Sequence, residues 1–242
     1  MSEVTVRLFR YEPDRDEKPR YDRFVIDAKK NMTVLDALFI IVEEHDPTVS
    51  FRCSCRLGMC GSCGMIINQK GRLACRTKLE DLGTDVTVQP MRNFPIIKDL
   101  TVDMDPFFKQ WKKIKPYFVP KDKDSEDFAL IPPDSGRRDI IDKNKSTECI
   151  TCGLCYSGCS LVSLDDRYIG PAALNRAYSL IADERDGATK ERLEIVADED
   201  GALRCHTLYE CSEVCPKGIS PTWSIQKLKA RGLAGALKGG KA

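Results

Sequence analysis

Three sets of cysteines, each with its own spacing, constrain this chain more tightly than any hydrophobic pattern in it. Cys149, Cys152, Cys155 and Cys159 form a complete C-x2-C-x2-C-x3-C run; Cys205, Leu208, Cys211 and Cys215-Pro216 repeat those offsets with leucine in second place. Cys55-x4-Cys60-x2-Cys63, followed by Cys75, has a different rhythm. The first two spacings are those of bacterial iron–sulfur ligand runs, and the third is the plant-type spacing for a [2Fe-2S] centre. Where two bacterial runs share a domain, the fourth cysteine of each ligates the other run's cluster. That exchange assigns Cys149, Cys152, Cys155 and Cys215 to one cubane, and Cys159, Cys205 and Cys211 to another. Leucine cannot bind iron. The second set therefore has three protein ligands, and the expected centres are one [2Fe-2S], one [4Fe-4S] and one [3Fe-4S].

Eleven of the twelve cysteines are used in this way. The remaining one, Cys53, lies two residues before Cys55, is expected to point to the opposite side of the backbone, and reads as a small, partly buried hydrophobe. Gly58, Gly61 and Gly64 suit a loop that wraps a compact core, where positive φ and close approach are needed, and whose N–H groups point at the cluster sulfurs. Zinc is the competing reading, since C-x2-C pairs also build zinc ribbons. Those ribbons pair two knuckles, whereas here three cysteines at successive intervals of three precede a fourth, and Cys215-Pro216 completes the iron–sulfur signature.

Residues 1–10 already alternate like a strand and are not expected to form a secretion signal, which favours metal ligands over disulfides for so many cysteines. The longest apolar stretch, residues 34–42, is interrupted by Asp36 and too short to cross a bilayer, so any membrane association is expected to be peripheral. A formal net charge of +1 gives no support to nucleic-acid binding. Neither a glycine-rich phosphate loop nor a His-Glu-x-x-His motif occurs.

Period-two alternation from Val4 and again from Arg23, across the polar turn 12–20, predicts a hairpin. Thr33 is expected to cap a helix whose apolar stripe, Val34, Leu35, Leu38, Ile41 and Val42, ends near Glu44 and His45. Short strands are expected at residues 65–67, 73–75 and 86–89. The expected class is α+β: a β-grasp plant-type [2Fe-2S] ferredoxin domain over residues 1–104, then an all-α bacterial-ferredoxin-like domain over residues 105–242 holding the [4Fe-4S] and [3Fe-4S] clusters. In the latter, Asp105-Pro106 starts a helix through Phe107, Phe108, Trp111 and Ile114. Residues 119–145 are expected to run along the surface. Gly170-Pro171 and Ser220-Pro221 open two more helices, the second passing through Trp223, Ile225 and Leu228 towards a glycine-rich tail.

Ser54-Cys-Arg-x-Gly-x-Cys-Gly-Ser-Cys63, Cys149-Ile-x-Cys-Gly-Leu-Cys-Tyr156, Ile169-Gly-Pro-Ala-Ala173 and Cys211-Ser-x-Val-Cys-Pro-Lys217 resemble the iron–sulfur subunit of succinate dehydrogenase and fumarate reductase. The resemblance spans nearly the whole chain. It implies a subunit placed between a flavoprotein, which carries covalent FAD and oxidises succinate or reduces fumarate, and a membrane anchor, haem-binding in some arrangements, that helps bind quinone. The implied electron order is FAD, [2Fe-2S], [4Fe-4S], [3Fe-4S], quinone, reversed for fumarate reduction, with no dicarboxylate site in this chain. The implied location is peripheral, on the cytoplasmic face of a bacterial or archaeal inner membrane.

By position in the resemblance, His206 and Lys229 lie at the quinone. Ordinary alternatives stand beside that reading: a helix histidine satisfying a backbone group, and a solvated lysine near a helix C-terminus. Ser160 replaces the proline usual after the first run's fourth cysteine, and residues 161–164 lack the tryptophans of many ubiquinone-reducing members. Together with Gly153-Leu-Cys-Tyr156 and Cys211-Ser-Glu-Val, these departures favour menaquinone. Phe107, Phe108 and Trp111 read as core or subunit-contact residues, and Trp223 as a residue at the anchor. Two further readings keep the clusters and change the partner: a free ferredoxin-like carrier, expected to be small and strongly acidic, and the electron-transfer subunit of another flavin dehydrogenase such as a thiol-linked fumarate reductase.

Overall fold

Val4, Val6 and Leu8 are buried while Thr5 and Arg7 between them keep contact with solvent, and this alternation suits residues 2–10 to an interior strand of a sheet with one face on the core. The computed structural model describes residues 2–121 and 131–237. Residues 122–130 of the expected surface run, and the tail from residue 238, lie outside the described residues. Two compact units are present: residues 1–104 with Ile150–Gly158, and residues 105–149 with those from 159 onward.

In the first unit, β1 (Ser2–Arg10) pairs antiparallel with β2 (Arg20–Ala28), as the hairpin reading expected. Its other edge pairs in parallel with β5 (Asp85–Gln89), which is flanked in turn by the antiparallel hairpin β3 (Gly64–Ile67) and β4 (Lys70–Leu73). The order β2-β1-β5-β3-β4 is a mixed sheet. Thr33 caps α1 (Val34–Ile40) through a reciprocal box, its hydroxyl accepting from the Asp36 N–H while the Asp36 carboxylate accepts from the Thr33 N–H. Val34, Leu35, Ala37 and Leu38 of this helix are buried. After Ile40 the coil widens, and Asp46 N–H closes it on the Ile41 carbonyl.

Two local readings are corrected here. Residues 73–75 are not a strand: β4 ends at Leu73, and Ala74–Arg76 is a tight helical turn. A second hairpin, β6 (Ile96–Lys98) with β7 (Thr101–Val102), was not anticipated, because runs of three and two residues are too short to display a period. Its turn carries Asp99, only 2% exposed, which accepts from Arg10 Nε at 3.1 Å. Arg10 is 4% exposed and also reaches Asp22, Asp46 and the Thr48 hydroxyl. Hydrogen bonds from Thr48 and then from Arg10 hold the Asp46 carboxyl down to about 2.

Residues 150–158 pack on this first unit. Asn93 donates to the carbonyls of Tyr156 and Ser157 at 3.1 and 3.2 Å, and Phe94 meets the Tyr156 ring at 5.1 Å. A single helical turn, Leu154–Ser157, buries Leu154 and Tyr156 there.

The second unit is helical: α2 (Asp105–Lys113), α3 (Ser160–Leu164), α4 (Pro171–Ile181), α5 (Thr189–Val196), α6 (Glu210–Glu213) and α7 (Pro221–Leu237), with a further turn at Gly136–Arg138. Pro106, Pro171 and Pro221 each stand within the first turn, where a missing N–H costs nothing. The three short helical pieces and α5 were not read from the sequence. Phe107 is buried and stacks on Trp111 at 6.0 Å, and Trp223 packs edge-on against Tyr178 at 5.3 Å.

Two polar knots fix this frame. Asn144 joins Ser146, Ser224 and the Ser220 backbone, and Ser224 donates to Asn175, tying the start of α7 to α4. Arg192 pairs with Asp186, both fully buried, and donates to the carbonyls of Lys115 and Tyr117, while Asp186 accepts from the Val119 N–H. Replacing Arg192 with Met leaves the Asp186 carboxylate buried without its cation. The expected loss is about 3–5 kcal/mol, read as the fall in guanidinium unfolding free energy; a change within experimental error would show that the pair does not hold the strap at residues 115–119.

Candidate metal centres

The loop after Phe51 places its sulfurs by backbone conformation. Gly58 and Gly61 have φ of +73° and +75°, the left-handed region that glycine enters without steric cost. Gly64 does not; it opens β3, where an added methyl group would lie 3.4 Å from the Cys152 carbonyl oxygen. The loop curls around Cys55, whose sulfur accepts from the N–H groups of Leu57, Met59 and Cys60 at 3.3–3.4 Å. Ser62 N–H reaches the Cys60 sulfur at 3.5 Å. Cys75 arrives on the turn after β4, and the neighbouring Ala74 N–H donates to the Cys63 carbonyl at 3.0 Å, tying that turn to the loop.

The electrostatics differ across the set. Hydrogen bonds from the Ser62 side chain, then from backbone groups of Cys55 and Ser62, bring the exposed Cys60 thiol down to about 6. Burial pushes Cys63 up to about 12, with Cys75 and Cys60 acting on it directly. One thiolate is thus prepared by N–H and O–H donors, while another needs a positive partner before it ionises. A bound metal ion would supply that charge, and a set so arranged fits a sulfur-ligated metal core. Cys53 is half-buried beside the loop.

In the second unit, Cys159, Cys205 and Cys211 line one recess together with Leu208, Glu210 and Thr222. Cys159 immediately precedes α3, Cys205 follows a tight turn at Ala202–Arg204, and Cys211 lies in α6. Burial pushes the Cys159 thiol up to about 11 and raises Cys211 as well. Donors answer the burial: Thr207 N–H meets the Cys205 sulfur at 3.4 Å, and the Thr222 hydroxyl lies 3.3 Å from the Cys211 sulfur. Ser212 donates to Thr222 Oγ1 at 3.0 Å, which leaves the Thr222 proton free to serve the sulfur. Leu208 occupies the offset of a missing ligand and is 56% exposed. Thr207 and Tyr209 on either side are both left-handed, with φ of +62° and +63°.

His206 and Lys229 belong to this same unit, and their ordinary readings change. His206 lies in irregular backbone beyond the turn, exposed at the recess rather than in a helix. Lys229 stands in the middle of α7, and its ammonium donates to the Cys205 carbonyl at 2.6 Å. The remaining cysteines are divided: Cys152 and Cys155 lie in the first unit, Cys149 and Cys215 in the second. Thr222, Ser62 and Glu210 were not singled out from the sequence. Glu210 and Ser62 abut cysteines, which was a usable signal, but Thr222 becomes visible only when α7 folds back.

A family model described as a 2Fe-2S iron-sulfur cluster binding domain matches residues 5–109, and one described as a 4Fe-4S dicluster domain matches residues 145–219. Among curated proteins, the succinate dehydrogenase iron-sulfur subunit of Paracoccus denitrificans is 39% identical, covering 92% of this chain and 85% of that one. The fumarate reductase iron-sulfur subunit of Mycobacterium tuberculosis is 37% identical over 98% of this chain and 96% of its own. A chain of a solved structure titled "Mycobacterium smegmatis Sdh1 complex in the apo form" superposes with a TM-score of 0.84 at 26% identity, covering 95% of both chains.

Gly61 is the position where this geometry is least forgiving. A methyl group there would lie 2.6 Å from Cys152 Cβ and 2.9 Å from its Cα, on a left-handed backbone. Gly61→Ala is expected to destabilise the first unit by more than about 1 kcal/mol and to lower its iron and sulfide content. Thermal denaturation with metal analysis reads both, and wild-type values would show that the loop relaxes freely.

Proposed function

Because this chain belongs to the family of succinate dehydrogenase and fumarate reductase iron–sulfur subunits, we propose that its three cysteine sets hold the centres that link a flavoprotein's FAD to quinone. Its two iron–sulfur domains make it the electron-transfer subunit of such a quinone-linked oxidoreductase. Cys55, Cys60, Cys63 and Cys75 hold the [2Fe-2S] centre; Cys149, Cys152, Cys155 and Cys215 hold the [4Fe-4S]; Cys159, Cys205 and Cys211 hold a [3Fe-4S]. When bound, these clusters supply one-electron carriers whose potentials follow ligand set, charge and hydrogen bonding. The observation that carries the third assignment is the convergence of three cysteines and Leu208 on one recess.

The partners follow from what each site exposes. Leu57 and Met59 stand 70% and 63% exposed on the first cysteine loop, a pair of large apolar side chains that a flavoprotein would cover. Leu208 and Tyr209 are exposed beside the recess of the second unit, where the membrane anchor would sit. Among the described residues no helix is long and apolar enough to cross a membrane, and association through the anchor at the cytoplasmic face is the arrangement proposed. His206 and Lys229 are assigned to the quinone, with menaquinone favoured by residues 160–164.

The purified complex with its flavoprotein is expected to show a three-iron resonance when oxidised and a two-iron resonance when reduced. Lys229→Ala should slow quinone reduction by about tenfold, comparable to losing one charged hydrogen bond, while both resonances persist. Undiminished quinone turnover in that variant would remove Lys229 from the site.

A further inference from the structure

Ser160 and Glu210 lie 50 residues apart, yet the Ser160 N–H and hydroxyl both donate to one oxygen of the Glu210 carboxylate, at 3.0 and 2.8 Å. Ser160 follows Cys159 directly and Glu210 precedes Cys211 directly, so the carboxylate is stitched between the backbones of two cysteines of one set. Proline at position 160 would offer neither proton. Glu210 also lines the recess on which Cys159, Cys205 and Cys211 converge.

We infer that Glu210 lowers the reduction potential of the centre held by these three cysteines, and that Ser160 is the positioning residue that fixes its carboxylate there. The inference rests on the ligand set proposed above. A one-electron reduction adds a negative charge to the centre, and a fixed anion nearby opposes it more strongly in a partly desolvated recess than in water. Lys229, on the Cys205 carbonyl, marks the opposite sign at another ligand. Lowering the potential of the centre favours electron delivery to an acceptor that is itself of low potential.

Redox titration of the assembled complex, following the three-iron resonance, tests this. Glu210→Gln removes the charge and keeps the shape; its midpoint is expected to rise, on the order of tenfold in the one-electron equilibrium constant. Ser160→Pro should raise the midpoint in the same direction, because the carboxylate loses both donors. Ser160→Ala keeps the N–H and should stay near wild type. An unmoved midpoint in Glu210→Gln, with the resonance intact, overturns the inference, and where that variant does not assemble, an unmoved midpoint in Ser160→Pro does so. Absence of a three-iron resonance from the wild-type complex would remove the ligand reading and this inference together, which separates the two failures.

Discussion

A thiol taken out of water resists ionisation, whereas iron binds thiolate, and the surroundings of the cysteines in both units answer that conflict. Burial holds Cys63 and Cys159 protonated well above neutrality in the absence of a cation. Backbone N–H groups on Cys55 and Cys205, and hydroxyls from Ser62 and Thr222, supply part of the opposing stabilisation. The remainder has to come from bound metal, so cluster assembly and local order are one process. A loop that must turn several N–H groups inward at once cannot be a regular helix or strand. This is why left-handed residues gather near the cysteines: Arg56, Gly58 and Gly61 in the first unit, Thr207 and Tyr209 in the second.

Loops held in this way need rigid supports, and each unit supplies one through a buried arginine. Arg10 draws Asp22, Asp46 and Asp99 together from three different segments, so the end of β1, the stretch after α1 and the β6–β7 turn move as one body. Arg192 does the same for the strap after α2, through Asp186 and two carbonyls. Removing either cation would leave carboxylates stranded in low dielectric, which is a larger penalty than the pairs are worth by themselves. Fixed frames matter here because a redox potential responds to small changes in the placement of charge and hydrogen-bond donors around the sulfurs.

What could be read in advance was whatever has a short-range physical signature. Thr33 announced its helix because a capping box is written in four consecutive residues, and β1 with β2 because residues 4–9 and 23–27 alternate on either side of a polar turn. Cysteine spacing gave candidate ligands because a cluster fixes the offsets of its sulfurs. What was not legible has the opposite property. Cys75 was assigned to a strand, but the turn it occupies is set by a bond from Ala74 back to Cys63. The packing of residues 150–158 on the first unit depends on Asn93 and Phe94, some sixty residues away. Lys229 looked like either a quinone residue or a solvated surface lysine, and its bond to the Cys205 carbonyl could not be inferred from helical periodicity.

Leu208 stands at the one offset where the repeated motif lacks a cysteine, and its neighbourhood is held from outside. A cysteine at this offset would turn inward to its iron; leucine is instead more than half exposed, between two left-handed residues that carry the chain around the corner. Non-glycine residues in that region cost about 1 kcal/mol or more each, so the bend persists only because it is held from outside. Gln226 donates to Thr207 at 2.9 Å and Lys229 to Cys205, both from α7, whose start is itself locked by Asn144. The loop around the three-cysteine recess is therefore braced by the last helix. An apolar, accessible corner beside buried sulfurs is also what an electron exit to a hydrophobic acceptor requires, since the acceptor can approach without displacing a ligand.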